Sequence, residues 1–319
     1  MVKIAFLFPG QGSQVVGMAK EFYNSSLATR KLFDKAATVL GFDIADLCFN
    51  GPSDKLMLTE NTQPALLIHS TIALNMLREN GINAEFAAGH SLGEYSANVA
   101  AGAIKFLDAV RLVQLRGRFM QEAVPVGVGG MAAIIGMPIG TIRELCERVS
   151  TRHHLVQPAN MNSIEQIVIA GHLRAVEEVS LLAKKAGAKK VIALPVSAPF
   201  HSPLMKPAEI KLRKELEKTA FRDHQFPVIS NVDVRPITMS SFVCEALVRQ
   251  VCSPVRWSET MHYLVDQGVE VFIELGTGKV LSGLMRRFNK EVKCFQVGDP
   301  DSLKITVEAC KSLLRNGDN

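Results

Sequence analysis

The 319-residue chain reads as an α/β protein, a larger α/β body interrupted by a smaller inserted unit. Three observations predict this. Short apolar, β-prone runs at residues 3–8 and 85–89 alternate with longer helical patterns. Between Val126 and Pro195 the pattern becomes strand, helix, extended piece, strand, helix, strand, which is the β-α-β-β-α-β order of a ferredoxin-like unit. Beyond that stretch the α/β alternation resumes. The expected division is therefore residues 1–126 with 196–319 as the larger body and 127–195 as the smaller one.

The first strand stops at Pro9-Gly10-Gln11-Gly12-Ser13-Gln14. A glycine-rich loop after a first strand invites a nucleotide reading, but the dinucleotide fingerprint needs glycine where Val15 stands, and no G-K-[ST] follows. The loop is instead expected to offer backbone N–H groups to some other anionic group at the carboxyl end of the strand. A helix is predicted from Asn61, capped by Asn61 or Thr62, with Pro64 in its first turn and Gly81 at its stop. Leu66, Leu67, Ile68, Ile72, Leu74, Met76 and Leu77 crowd its buried faces.

Phe86-Ala87-Ala88-Gly89-His90-Ser91-Leu92-Gly93-Glu94 then reads as strand, sharp turn and helix, and contains G-x-S-x-G, the pattern of a nucleophile elbow. A serine at the apex of such a turn is strained, and small flanking residues let the two backbones approach. Its oxygen points out of the turn, with the N–H of Leu92 facing any oxyanion formed on attack. By itself the motif also fits an ordinary glycine-rich turn. The next helix, near 105–123, carries Arg111, Arg116 and Arg118, which composition alone assigns to a solvated face.

The small unit starts after Val126-Gly127-Val128-Gly129-Gly130, a predicted hinge, and uses strands at 131–136, 166–171 and 190–194 with helices at 138–150 and 173–187. Then follows Ser197-Ala198-Pro199-Phe200-His201-Ser202-Pro203, in which prolines bracket a histidine. Of the eight histidines, His153, His154, His172, His224 and His262 sit in polar, exposed-looking settings, His69 lies on a helix, and His90 points away from its neighbour in an elbow. His201 is thus the candidate base for Ser91, and Phe200 would keep water from its ring. The remaining chain offers a strand at 228–232, a helix through Leu247 to Val251, and a strand at 271–275 that runs into Gly276-Thr277-Gly278-Lys279 and a helix from Val280.

Composition narrows the function classes. Apolar residues make up 47% and charged residues 21%, as in an ordinary water-soluble domain, and no run is long and apolar enough to cross a bilayer. The six cysteines lack C-x-x-C spacing, so neither zinc nor a disulfide framework is indicated, and a cytoplasmic setting is expected. A net charge of +5 without a Lys/Arg-rich run argues against nucleic acid and suits an acidic partner or a phosphorylated ligand.

Four stretches taken together, Phe8-Pro9-Gly10-Gln11-Gly12-Ser13-Gln14, Gly89-His90-Ser91-Leu92-Gly93-Glu94-Tyr95, Phe200-His201-Ser202-Pro203-Leu204-Met205 and Glu274-Leu275-Gly276-Thr277-Gly278-Lys279, closely resemble the bacterial malonyl-CoA:acyl carrier protein transacylases. The resemblance covers nearly the whole chain in the right order. It implies an α/β-hydrolase-like core with a ferredoxin-like insertion, Ser91 as nucleophile and His201 as base. It further implies a Ser-His dyad whose imidazole is oriented by the backbone carbonyl of Gln250, with the N–H groups of Gln11 and Leu92 as oxyanion hole. Arg116 matches the arginine that pairs with the free malonyl carboxylate, while Asn160, Asn162 and Met131 match residues of the substrate cleft. Thr277 stands where the family usually has proline.

The implied reaction carries malonyl from malonyl-CoA to the phosphopantetheine thiol of acyl carrier protein through a malonyl-serine ester, in fatty acid biosynthesis, with no metal or redox cofactor. Two rivals stand beside it. A serine esterase or thioesterase would share the elbow and base but would not need a buried arginine, and a non-catalytic module binding acyl carrier protein would not need the Ser91/His201 pair.

Overall fold

The computed structural model describes residues 2–196 and 198–316, so Ser197 of the histidine loop lies outside the described residues. The strands, numbered in chain order, are β1 Lys3–Phe8, β2 Phe86–Gly89, β3 Gly129–Ile135, β4 Val156–Ser163, β5 Gln166–His172, β6 Lys190–Ala193, β7 Val228–Ile229, β8 Pro236–Ile237, β9 Val269–Leu275 and β10 Lys293–Val297. The larger sheet has the order β10-β9-β1-β2-β7-β8, parallel throughout except for the β7/β8 pair. Along β1, side chains alternate between faces. Phe6 and Phe8 pack in one apolar cluster with helices Thr59–Glu79 and Phe106–Glu122, whereas Ala5 and Leu7 face Trp257, Met261 and Met285 in another. Helices thus cover both faces, which is what a buried parallel sheet requires.

The second sheet, β4-β5-β3-β6, is antiparallel at every pairing and carries helices Ile139–Val149 and Leu173–Lys185 on one face. Its strand order is the ferredoxin-like one. It touches the larger body where β4 meets the segment before helix Trp257–Asp266: Met161 N–H donates to the Val255 carbonyl at 2.9 Å and Val255 N–H to that of Ala159 at 2.8 Å.

Several sequence expectations shift. The long helix starts at Thr59, so Pro64 lies past the first turn, and Leu58 at its N-cap contributes no side-chain cap. The predicted strand at 228–232 keeps only two residues, because Ser230 N–H bonds back to the Arg235 carbonyl and turns the chain into β8. The last two glycines of the predicted hinge belong to β3.

Candidate active site

Ser91 occupies the turn between β2 and helix Gly93–Ala100 at φ 53°, a left-handed conformation costly for any side chain. Close packing imposes it. A Cβ on Gly89 would fall 1.8 Å from the Gly93 carbonyl carbon, and one on Gly93 would fall 2.0 Å from the Phe8 carbonyl oxygen. Only glycine at both positions lets β1, β2 and the elbow helix meet. Asn231, fully buried, clamps the same turn: its Oδ1 accepts the Ser91 N–H at 2.8 Å and its Nδ2 donates to the Gly89 carbonyl at 2.7 Å.

His201 is also left-handed, at φ 59°. Its Nε2 lies 2.7 Å from Ser91 Oγ and its Nδ1 lies 2.9 Å from the backbone carbonyl of Gln250. A carbonyl can only accept, so the ring proton sits on Nδ1 and the Nε2 lone pair faces the serine hydroxyl. Burial, with the Arg116 cation as second cause, pushes the imidazole down to about 3, which keeps it in the neutral form that can take a proton. Gln157, on β4, donates to the His201 carbonyl at 2.9 Å and ties this loop to the smaller sheet.

Arg116 is not on a solvated face. It is 1% exposed. Its Nη1 donates to Gln63 Oε1 at 2.9 Å, and its Nη2 donates to Gln250 Oε1 at 2.8 Å and to Ser91 Oγ at 3.1 Å. The Tyr95 ring lies below it, 5.6 Å from centroid to guanidinium carbon. Arg116 Nε has no partner among the described residues, although it is buried. Arg111, by contrast, pairs with Glu215 at the surface, and Arg118 is exposed. Glu94 is buried beneath the elbow, where its Oε2 accepts from Gln250 Nε2 at 2.6 Å and from the Asn231 N–H at 3.3 Å. Burial raises its carboxyl to about 7.

A cavity of about 110 Å³ opens over these groups, lined in part by Ser91, His201, Arg116, Gln11, Leu92, Met131, Asn160 and Phe200. The backbone N–H groups of Gln11 and Leu92 donate to no protein acceptor among the described residues. Asn162 is set slightly apart. Its Oδ1 lies 2.8 Å from His90 Nε2, and it lines the adjoining cleft shared with Gln11, His90 and Asn160.

Three residues of this arrangement were not singled out from sequence: Gln63, Glu94 and Asn231. Gln63 had a signal, being an amide within an otherwise apolar helical run, whereas Asn231 looked like one more strand residue. The Glu274 motif has a structural duty, since its buried carboxylate accepts the N–H groups of Leu281 at 3.1 Å and Ser282 at 2.8 Å at the start of helix Val280–Phe288. Three histidines read as exposed are half-buried: His172 Nδ1 accepts the Leu155 N–H at 2.9 Å, His224 Nε2 lies 2.8 Å from Asn98 Oδ1, and His154 stacks beside His172.

Residues 5–297 match the model of the acyl transferase domain family. The chain is 49% identical over 311 residues to a malonyl CoA-acyl carrier protein transacylase of Bacillus subtilis, covering 98% of each. It superposes with a TM-score of 0.95 on the crystal structure of a malonyl CoA-acyl carrier protein transacylase from Clostridium perfringens, at 40% identity and full coverage of both chains. It superposes with a TM-score of 0.93 on a malonyl-transacylase solved in complex with a type II PKS acyl-carrier protein, at 44% identity over 96% of this chain and 99% of the other.

Proposed function

The chain belongs to the acyl transferase domain family, and we propose that it moves a malonyl group from malonyl-CoA to the phosphopantetheine thiol of acyl carrier protein, supplying fatty acid biosynthesis. The observation that carries this reading is the buried guanidinium of Arg116 within 3.1 Å of the Ser91 oxygen, beside a base 2.7 Å from the same atom. An ester hydrolase needs the second feature and not the first.

In the first half-reaction His201 Nε2 takes the Ser91 proton as Oγ attacks the thioester carbon. The carbonyl oxygen becomes an oxyanion facing the free N–H groups of Leu92 and Gln11. Collapse breaks the C–S bond, the proton on Nε2 goes to the departing CoA sulfur, and a malonyl-Ser91 ester remains. In the second half-reaction the pantetheine thiol gives its proton to Nε2 and attacks the ester, and Ser91 leaves with that proton. The Nδ1–H bond to the Gln250 carbonyl steadies the imidazolium in both. The malonyl carboxylate binds the Arg116 guanidinium and takes over the Nη2 hydrogen now on Ser91 Oγ. Met131, Asn160, Asn162 and Phe200 line the path of the acyl thioester. Every step uses side chains and amides of the chain and calls for no cofactor.

The same reading assigns residues 1–126 with 196–319 to the catalytic body and 127–195 to the smaller lobe, with substrate entering between them. A cytoplasmic setting is supported by six unpaired cysteines, and no helix among the described residues is long and apolar enough to cross a membrane. Intact-mass measurement after mixing with malonyl-CoA tests the proposal. One malonyl mass should appear, vanish on adding acyl carrier protein, and be absent from Ser91→Ala; an adduct that persists on the alanine variant would falsify the nucleophile assignment.

A further inference from the structure

Glu94, Gln250 and Arg116 form a buried chain of side chains, each 1% exposed or less, that ends on the nucleophile. Chemistry fixes its direction. A guanidinium only donates and a backbone carbonyl only accepts, so Gln250 Oε1 must face Arg116 and its NH2 the Ser91 carbonyl, which sets the NH2 against Glu94 Oε2 at 2.6 Å. Gln250 Oε1 accepts from Arg116 Nη2 at 2.8 Å, and the other Nη2 hydrogen reaches Ser91 Oγ. The same amide nitrogen also donates to the Ser91 carbonyl at 2.9 Å, so the amide is fully committed. Turned over, it would set its oxygen against a carboxylate and a carbonyl, and its NH2 against a cation. The same Oε2 also accepts the Asn231 N–H at 3.3 Å, while Oε1 is buried with no hydrogen-bond partner among the described residues.

Burying a carboxylate here is expensive, and apolar residues would fill the space beneath an elbow at lower cost. A functional return is therefore expected. We infer that Glu94 is a positioning residue for acyl selectivity: by fixing the Gln250 amide it holds the Arg116 guanidinium in the pose that accepts a terminal carboxylate on the acyl group. This rests on the malonyl-transfer reading and adds to it a device one residue removed from the substrate. With Glu94 gone, the Gln250 NH2 keeps only the Ser91 carbonyl as acceptor, so the amide that meets Arg116 Nη2 loses one of its two anchors.

The test compares acyl-enzyme formation from malonyl-CoA and from acetyl-CoA, by single-turnover intact mass, in wild type, Glu94→Met, Glu94→Gln, Arg116→Ala and the Glu94→Met/Arg116→Ala double variant. Wild-type labelling is established first: its failure would sink the functional reading and this relay with it, whereas labelling of the wild type with unaltered selectivity in the variants would sink the relay alone. Glu94→Met should then lower malonyl transfer on the order of ten- to a hundredfold, the value of one hydrogen bond to a charged group, and leave acetyl transfer unchanged. Glu94→Gln, which keeps an acceptor oxygen, should recover most of the selectivity. In the Arg116→Ala background Glu94→Met should add no further loss. Equal losses for malonyl and acetyl, a further loss in the double variant, or no recovery in Glu94→Gln would each overturn the inference. Should Glu94→Met fail to fold, Gln250→Met takes its place, because it keeps the backbone carbonyl on His201 and removes only the amide; retained selectivity there would overturn the inference equally.

Discussion

Replacing Arg116 by alanine should convert a malonyl-selective enzyme into one nearly indifferent to the acyl carboxylate. Reasoned from sequence, acetyl would leave a buried cation unpaired, at a cost of about 3–5 kcal/mol. The structure lowers that figure. Without substrate the guanidinium already donates to Gln63, Gln250 and Ser91, so acetyl forgoes only the two charge-assisted bonds of a bidentate carboxylate and leaves the guanidinium its present partners. Two charge-assisted bonds, less what Nη2 regains from Ser91, come to roughly 2–4 kcal/mol, or about thirty- to a thousandfold in kcat/KM. Rates of acyl-enzyme formation from malonyl-CoA and acetyl-CoA measure this directly. Arg116→Ala should lose malonyl transfer by about that factor and keep or improve acetyl transfer, whereas Arg116→Lys should recover only part, because an ammonium lacks the fork. If Arg116→Ala loses both activities equally, Arg116 is a packing residue and the selectivity argument fails.

Three further outcomes are expected. Raising salt should slow transfer to acyl carrier protein more than acylation by malonyl-CoA, since a chain of net charge +5 docking an acidic partner is screened; equal sensitivity of the two half-reactions would count against charged docking. Asn231→Ala should destabilise the protein by roughly 1–3 kcal/mol in denaturant unfolding and slow acylation, because two buried backbone groups of the elbow lose their partner; an unaltered acylation rate would mean the turn needs no clamp. His69 is buried, its Nε2 lies 2.9 Å from the Gly298 carbonyl, and burial pushes its imidazole down to about 4. A histidine whose folded value lies below its unfolded one stabilises above the unfolded value and loses that contribution as pH falls, so between about pH 7.5 and 5.5 wild type should lose about 1 kcal/mol more than His69→Gln. Parallel stability curves for the two would refute the assignment.

Much of this protein is local chemistry and was legible in the chain. The strand-turn-helix around Ser91 follows from small residues at 89 and 93, the β-α-β-β-α-β order from periodicity, and the candidacy of His201 from its proline-bracketed loop. What local pattern misjudged is instructive. Two of the three arginines on helix Phe106–Glu122 do face outward, and the same composition rule fails for the third because its burial depends on acceptors from distant segments, Gln63 at 53 positions away and Gln250 at 134. Just past the brief strand β7, Asn231 is committed to the elbow, 140 residues back along the chain. The third member of the dyad's support is a backbone carbonyl, which carries no residue identity and leaves no mark in a sequence read by itself; only the resemblance pointed to Gln250. Sequence determined which short segments could bend, pack and react, since those properties depend on neighbours along the chain. Tertiary structure decided which buried polar groups meet, because a hydrogen-bond partner for a buried charge can come from anywhere in the fold, and its choice sets what the pocket accepts.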